Sequence, residues 1–234
     1  MGAMYGYIYE GTYKLDDFNK SGNSYTLKSN VPYYTSEANT QPGMPKYRDL
    51  NDDGVINTND CTFIGNGLPT HTGGFTNNFN YRDFDFSFFF QWSYGNDVLN
   101  ANRLMFESSW NRTRELNQFA SYADRWTIDN PTSNIPRATS SSSNRVFSSR
   151  IIEDGSFLRL KTLTLGYTVP RKAISRVGID QLRIYFAAQN LFTISNYSGY
   201  DPEVSIRESA LTPGLDFSAY PRARSFSFGI NLGF

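Results

Sequence analysis

The 234-residue chain combines many aromatic side chains, 19 Phe, 16 Tyr and 3 Trp, with a largely polar remainder. Its 22 basic and 22 acidic side chains balance. Because the chain has no net positive charge, nucleic acid is not expected as a partner. One cysteine rules out an internal disulfide framework. A transmembrane helix is excluded as well, because spanning takes about 20 consecutive apolar residues and the richest stretch, 84–92, is short and interrupted by polar residues.

Alternation of apolar and polar residues predicts six strands. In chain order they are one at Tyr5, Tyr7 and Tyr9, two in a hairpin over 73–94 that turns at Arg82-Asp83, and one each over 151–168, 181–194 and 225–234. Two rows define an apolar face, namely Phe84, Phe86, Phe88 and Phe90 in the hairpin and Phe226, Phe228, Ile230 and Leu232 near the end of the chain. Phe89 alone breaks the first pattern. Helical spacing within 95–150 predicts one short surface helix.

Long and short connections alternate between these strands, which is typical of an outer-membrane barrel with long extracellular loops and short turns. The fold class expected is therefore all-β, an antiparallel transmembrane β-barrel segment. A soluble β-sandwich also has alternating strands, but here the second face of the strands is polar and the apolar rows are aromatic towards their ends. Six strands cannot close a barrel, since bacterial barrels start at about eight. We therefore expect a piece of a larger barrel, which also accounts for a start without a signal peptide.

The sharpest local motif is the acidic stretch 49–60, which matches the twelve-residue calcium loop in its spacing of oxygen-bearing side chains and its central glycine. The ligands expected are Asp49, Asn51, Asp53, the Val55 carbonyl, Asn57 and Asp60. Gly54 would allow the tight bend and Ile56 would anchor the loop from behind. The last ligand is Asp where Glu is usual, and neither flank is predicted to be an EF-hand helix. An ordinary Asn/Asp-rich turn is the alternative.

Candidate catalytic groups are sparse, and no enzyme activity is predicted. His71 is the only histidine and is expected in a solvated loop. Cys61 has no basic neighbour in sequence and is expected to be a structural or incidental thiol and not a nucleophile. Aromatic residues in the long connections could stack on a ligand or simply pack the loops. They are Tyr33, Tyr34, Trp110, Trp126, Tyr197 and Tyr200.

Several blocks in a fixed order carry a family resemblance, and they are YRDLNDDGVINTND, RWTIDNPTSNIPRA, DGSFLRLKTLTLGYTVP, LRIYFAAQNLFTISNYSGYDPEV and the final aromatic strand. Together they resemble the C-terminal part of SusC/RagA-type TonB-linked outer-membrane transporters. The resemblance covers nearly all of residues 1–234 and implies the last strands of a barrel of about 22 strands, with the calcium-like loop 49–60 inside an extracellular loop. The plug and TonB box of the family have no counterpart in this sequence.

The resemblance further implies partners and a mechanism. A SusD-like surface lipoprotein would close over the barrel and capture an oligosaccharide or peptide, the chain would lie in the lipid bilayer of the bacterial outer membrane, and TonB would act through an N-terminal part outside this chain. Two other classes stay open at this point. One is a secreted calcium-dependent glycan-binding β-domain and the other is a glycosidase; detergent dependence and oligosaccharide turnover would separate them.

Overall fold

The structure is a computed structural model that describes residues 2–108, 116–139, 146–203, 205 and 213–234. The chain forms two compact units. We call residues 1–67, 98–153 and 205–219 the loop unit, and residues 68–97, 154–204 and 220–234 the sheet unit.

The secondary structure is mostly strand, which agrees with the expected all-β class. The described strands are β1 (Ala3–Gly6), β2 (Tyr9–Thr12), β3 (Phe18–Ser21), β4 (Ser24–Leu27), β5 (Tyr33–Tyr34), β6 (Pro45–Tyr47), β7 (Val55–Ile56), β8 (Thr62–Asn66), β9 (His71–Tyr81), β10 (Phe84–Tyr94), β11 (Asp97–Asn100), β12 (Ile152–Asp154), β13 (Phe157–Thr168), β14 (Gln181–Ser195), β15 (Leu215–Asp216) and β16 (Ser225–Gly233). The α-helices are α1 (Ala101–Phe106) and α2 (Arg171–Ile174). Short 3-10 helices cover Leu15–Asp17, Glu37–Asn39, Thr58–Asp60, Ala120–Asp124, Ser149–Ile151 and Ser175–Val177.

The sheet unit is built on one five-stranded sheet in the order β16-β14-β13-β10-β9, with antiparallel pairing throughout. The predicted hairpin is confirmed as β9 and β10, which are joined through Arg82-Asp83. Arg82 adopts a φ of 54°, in the left-handed region that tight hairpin turns require. The other short connection, 169–180, contains α2. Both short connections therefore lie at one end of the sheet, and the long connections leave from the other.

One face of this sheet is apolar from edge to edge. Phe79, Phe86, Leu165, Phe186 and Phe228 occupy matched register positions on the five strands, so they share a face. The face is not covered by a second layer within the described chain, since Phe79 is 52% and Phe228 82% exposed. The register thus confirms that both predicted aromatic rows lie on one face, as a wall against lipid requires.

A β-bulge interrupts the sheet in β13, where Lys161 is the extra residue. The register of β13 shifts between Leu160 and Thr162 against β14, and that of β10 shifts between Phe89 and Phe90 against β13. Phe89 lies on the polar face, where its ring covers Gly74 so closely that a side chain there would collide with it. The bulge also places Lys161 on the polar face, in line with the role of bulges in redirecting side chains.

Two strand predictions need correction. The tyrosine strand exists as β1 and β2, but β1 pairs with β8 and β2 with β6, so neither joins the five-stranded sheet. The predicted strand over 151–168 divides into β12 and β13 at Gly155-Ser156. There the Asp154 carboxylate accepts the Ser156 amide at 2.9 Å and turns the backbone.

The loop unit consists of small sheets packed around tyrosine-rich clusters. One cluster joins Tyr7, Tyr47 and Ile56, and another joins Tyr13, Phe18 and Leu27. The short helix expected within 95–150 is confirmed as α1. Over the described ranges, no helix has both the length and the apolar character needed to cross a membrane.

Candidate functional site

The acidic loop 49–60 lies in the loop unit between β6 and β8, so its flanks are strands and not the helices of an EF-hand. Its centre pairs β7 with β5 in parallel. Ile56 is fully buried in the cluster with Tyr7 and Tyr47, which confirms that it anchors the loop from behind. Gly54 has a φ of 82°, while a Cβ at this position would meet nothing within 4 Å. The glycine is therefore required for backbone conformation and not for space.

Side-chain oxygens of the loop fold back onto its own amides. Asn51 Oδ1 accepts the Asp53 amide at 3.2 Å and Asp53 Oδ1 accepts the Val55 amide at 2.8 Å. Asn57 Oδ1 accepts the Asn59 amide at 2.9 Å and so begins the 3-10 helix Thr58–Asp60. These hydrogen bonds are typical of an Asx-rich turn. Such a turn is the alternative to a cation site that the sequence also allows.

Asp49 and Asp60 close the loop on itself. Asp60 is fully buried and accepts the amides of Leu50 and Asn57, each at 2.8 Å. Burial raises the pKa of the Asp60 carboxyl, but the backbone amides, together with the contact to Asp49, outweigh it and hold that pKa below its usual value. Asp49 Oδ2 accepts the Gly54 amide at 2.8 Å. Its Oδ1 is buried without a hydrogen-bond partner, and an orphaned carboxylate oxygen of this kind is costly unless a ligand meets it.

The expected ligand set is only partly brought together. In the parts of the chain that the structure describes, no group of three or more His, Cys, Asp or Glu side chains could hold a metal ion. Asp49 and Asp60 are adjacent, whereas Asp53 receives the Asn51 amide group at 2.9 Å. The Val55 carbonyl accepts the Asn57 side chain at 2.9 Å.

The polar face of the sheet is the second candidate surface. Asp85, Ser87, Gln91, Thr164 and Arg183 all lie opposite the aromatic rows by the register of β10, β13 and β14. Hydroxyl, amide and charged groups in such a row can exchange hydrogen bonds with water and with a hydrated ligand. In barrels that span the outer membrane, this polar face lines the interior.

A buried ionic cluster ties the segments 196–203 and 220–224 to this face. Arg159 of β13 is 2% exposed; its guanidinium pairs with Asp201 and, at 3.0 Å, with Glu203. Lys161 and Arg222 reach Glu203 at 3.4 and 2.9 Å. Burial raises the pKa of Asp201, but the Arg159 side chain and the amides of Glu203 and Arg222 outweigh it, so that pKa lies below its usual value. Sequence reasoning missed this cluster, although a charged residue such as Arg159 in a predicted strand was a signal of a partner.

The loop aromatics divide into packing residues and one exposed ring. Trp126 is buried and donates its Nε1 hydrogen to the Pro131 carbonyl at 3.1 Å. Tyr197 is buried, and Tyr34 packs edge-on against Tyr7 and Tyr47. Tyr200, by contrast, is 88% exposed. Tyr33 is half-buried beside the second cluster, and Trp110 lies outside the described residues.

The two single residues lie in different units, Cys61 in the loop unit and His71 in the sheet unit. His71 begins β9 and does not lie in a loop as expected; its Nδ1 accepts the Trp92 indole hydrogen at 3.2 Å, and its ring stacks on Tyr94. Cys61 is exposed with a free thiol.

No family model matches the chain, but several curated proteins are similar to it in sequence. The TonB-dependent receptor P3 of Formosa agariphila is 33% identical over 239 residues, which is all of this chain and 22% of the receptor. The TonB-dependent receptor P26 of the same organism is 38% identical over 197 residues, covering 82% of this chain and 20% of that receptor. SusC of Bacteroides thetaiotaomicron is 30% identical over 200 residues, covering 85% of this chain and 18% of SusC.

Solved structures agree on the fold. The RagAB peptide transporter superposes with a TM-score of 0.73 at 23% identity, covering 99% of this chain and 22% of that chain. The open-open state of the RagAB peptide importer gives a TM-score of 0.66. The chain belongs to the SusC/RagA-type TonB-dependent receptors. It spans about a fifth of the length of these curated relatives.

Membership of the SusC/RagA family fixes the setting of the two faces. The receptors of this family are bacterial outer-membrane proteins, so the five-stranded sheet is a segment of an antiparallel transmembrane barrel. We expect its aromatic face to meet lipid and its polar face to meet the interior.

Proposed function

We propose that this chain forms part of the wall and outer loops of a receptor that imports nutrients across the outer membrane, and that the nutrient is an oligosaccharide or a peptide. The observation that carries the proposal is the identity to TonB-dependent receptors along the whole chain, combined with a sheet that is apolar on one face and polar on the other. Relatives are named as receptors and, for RagAB, as a peptide transporter.

The polar face would act as a wetted wall. Ser87, Thr164 and Gln189 lie on it by register and offer hydroxyl and amide groups at which a hydrated solute can exchange hydrogen bonds without a strong preference for one site. Weak, repeated contacts suit passage, because a ligand must leave the wall as readily as it enters. The energy would come from TonB acting on parts of the receptor outside this chain.

A SusD-like surface lipoprotein is the proposed partner at the extracellular end. In barrels of this kind the long loops face outward, and the connection 196–224 is anchored at one point by Arg159 and Asp201. Tyr200, one residue before Asp201, is almost fully exposed. An anchored loop that presents an exposed ring suits contact with a partner or ligand.

Uptake by cells tests this proposal. Cells that carry the intact receptor and its neighbouring lipoprotein should accumulate a fluorescent oligosaccharide mixture or a fluorescent casein digest, and deletion of the receptor gene should abolish accumulation of one of them. Dissipating the proton-motive force should have the same effect. Uptake of both mixtures at wild-type rates after deletion, with the proton-motive force intact, would contradict the proposal.

We also propose that the loop 49–60 holds calcium, through Asp49, Asn51, Asp53, the Val55 carbonyl, Asn57 and Asp60. The support comes from the buried Asp49 Oδ1, which lacks a partner and sits beside a second carboxylate, that of Asp60. Two adjacent carboxylates attract a hard cation, whose oxygen ligands they provide. The ion would supply structural order, offsetting the backbone entropy lost by a long loop.

Calorimetry on the intact receptor distinguishes calcium binding from an Asx turn. The wild type should release or absorb heat with calcium and not with sodium, and Asp49→Asn should remove that heat while keeping the oxygen that accepts the Gly54 amide. Asp16→Asn is the matched control, because Asp16 is an exposed acid outside the loop and should bind as the wild type does. A wild-type receptor that shows no calcium heat would leave the loop as an Asx turn.

A further inference from the structure

The sheet end that carries the two short connections has an uneven charge. Arg82, Arg171, Lys172 and Arg176 are all exposed there, while Asp83 and Asp180 are the acids of the same connections. Arg171 pairs with Asp180 at 2.6 Å. We call the four cations the basic rim.

Three cations of the basic rim keep their charge uncompensated. Within the described ranges, Arg82, Lys172 and Arg176 form no ion pair. The Arg82 guanidinium lies 5.4 Å over the Tyr81 ring, a cation–π contact that leaves the positive charge in place. In a chain with no net charge, this end is therefore locally positive.

An aromatic row fixes the depth of the basic rim in the membrane. Tyr81, Phe84 and Tyr167 are register partners on the apolar face, and the rings of Phe84 and Tyr167 are 4.7 Å apart. Tyr81 is 69% exposed. Tyrosine-containing aromatic belts of membrane proteins lie at the level of the lipid headgroups.

The cations follow this belt closely along the chain. Arg82 is the residue after Tyr81, and Arg171 comes four residues after Tyr167. At about 3.3 Å per residue of extended chain, Arg82 lies within about 3 Å of the belt and Arg171 within about 13 Å. Their long side chains can therefore reach the headgroups.

Packing of the connection 169–180 keeps two of the cations pointing outward. Ile174 is buried, and Lys172 and Arg176 flank it at two residues on either side, so on a helical turn they share the face opposite Ile174. The Val169 amide donates to the Leu182 carbonyl and the Asp180 amide to the Gly233 carbonyl, each at 2.8 Å. The connection is thus fastened to β14 and β16 at both ends.

We propose that the basic rim binds the phosphate headgroups of anionic phospholipids in the periplasmic leaflet of the outer membrane. Short turns of outer-membrane barrels face the periplasm, which assigns this leaflet. Arginine and lysine are the side chains that bind phosphate, and clusters of them beside a membrane segment attract anionic lipids. Lipid bound at this site would hold the barrel at a defined depth in the membrane and would keep anionic phospholipids beside it.

Lipid retention by the intact receptor tests the proposal. The purified receptor is placed in nanodiscs of phosphatidylglycerol and phosphatidylcholine, and the lipids that remain bound on release are counted by native mass spectrometry. The double variant Lys172→Gln/Arg176→Gln should retain phosphatidylglycerol at least about tenfold more weakly, with phosphatidylcholine unchanged. The charge-preserving variant Lys172→Arg/Arg176→Lys should retain it as the wild type does.

Controls separate the basic rim from general charge and from free phosphate. Lys20→Gln/Lys28→Gln removes the same charge from the loop unit and should leave retention unchanged; an equal loss in both double variants would overturn the proposal. Displacement of the lipid by millimolar glycerol phosphate would assign a soluble-phosphate site in its place. Should the double variant not insert, Lys172→Gln and Arg176→Gln alone should each weaken retention several-fold, and wild-type retention in both would refute the basic rim.

Discussion

Arg183 and Asp85 form a two-pronged ion pair across the polar face of the sheet, 98 residues apart in sequence, with Nε–Oδ1 and Nη2–Oδ2 distances of 3.0 and 2.6 Å. They lie on β14 and β10, and β13 runs between them. The pair is possible because β13 has Gly166 opposite Asp85, where a Cβ would collide with both charged groups. The missing side chain on β13 thus lets the strands on either side of it be joined directly.

Gly166→Ala should destabilise the barrel by about 1–3 kcal/mol, because the added methyl group forces the ion pair apart and overpacks the polar face. The measurement is the free energy of unfolding of the intact barrel in detergent. Gly233→Ala is the matched control, since a Cβ there meets Gln181 at an ordinary 3.5 Å. Equal stability of the two variants would contradict the spacing role of Gly166.

Phe88→Arg should cost about 2–4 kcal/mol, because it places a charge on the lipid face near the middle of β10. Ser87→Arg changes the neighbouring residue on the polar face, where the guanidinium stays in contact with water, and should cost much less. Both are measured as unfolding free energies in lipid vesicles. The assignment of the two faces fails if Ser87→Arg costs as much as Phe88→Arg.

Asp201→Ala should loosen the segments 196–203 and 220–224 from the sheet at a cost of about 3 kcal/mol, because it leaves the buried Arg159 guanidinium without one of its carboxylates. The Arg222 amide donates to Asp201 at 3.0 Å, so its hydrogen exchange reports the loss. Arg171→Ala is the control, since the exposed pair of Arg171 with Asp180 contributes little. Unchanged exchange at Arg222 would rule out the anchor.

The same anchor predicts a pH dependence. The folded-state pKa of Asp201 is lowered, so its contribution to stability is complete above the unfolded pKa, about 4, and is lost as the pH falls through the lower folded value. Exchange of the Arg222 amide should therefore be constant from neutral pH down to about pH 4, after allowance for intrinsic exchange rates, and rise below it. A rise near pH 6 would point to another group.

The sheet could be predicted from sequence because its alternation is local. The rows through Phe86 and Phe228 follow a period of two, and period alone assigns their face. Lys161 could not be placed, because a bulge depends on the pairing of two strands and not on either strand alone. The Tyr5 strand shows the converse error, since local alternation predicted a strand but not its partner.

In the candidate sites, too, local features could be predicted from sequence and long-range contacts could not. The loop 49–60 is contiguous, so its turn, its glycine and its anchor Ile56 could be predicted from spacing. The Arg159–Asp201 pair joins residues 42 apart and depends on how the segment that follows β14 folds back onto the sheet. Sequence spacing carries no such information, and the burial of Arg159 is seen only in the structure.

The alternation of the two faces is tested most directly by scanning β10 with cysteine in the intact receptor. The exposed Cys61 is first replaced by serine, and single cysteines are then placed at positions 84 to 93. A water-soluble maleimide applied to cells should label the polar-face positions, such as Ser87 and Gln91, and spare the lipid-face positions, such as Phe86 and Phe88. Labelling without a period of two, or labelling of Phe86 and Phe88 alone, would contradict a barrel wall with lipid on one side and an aqueous interior on the other.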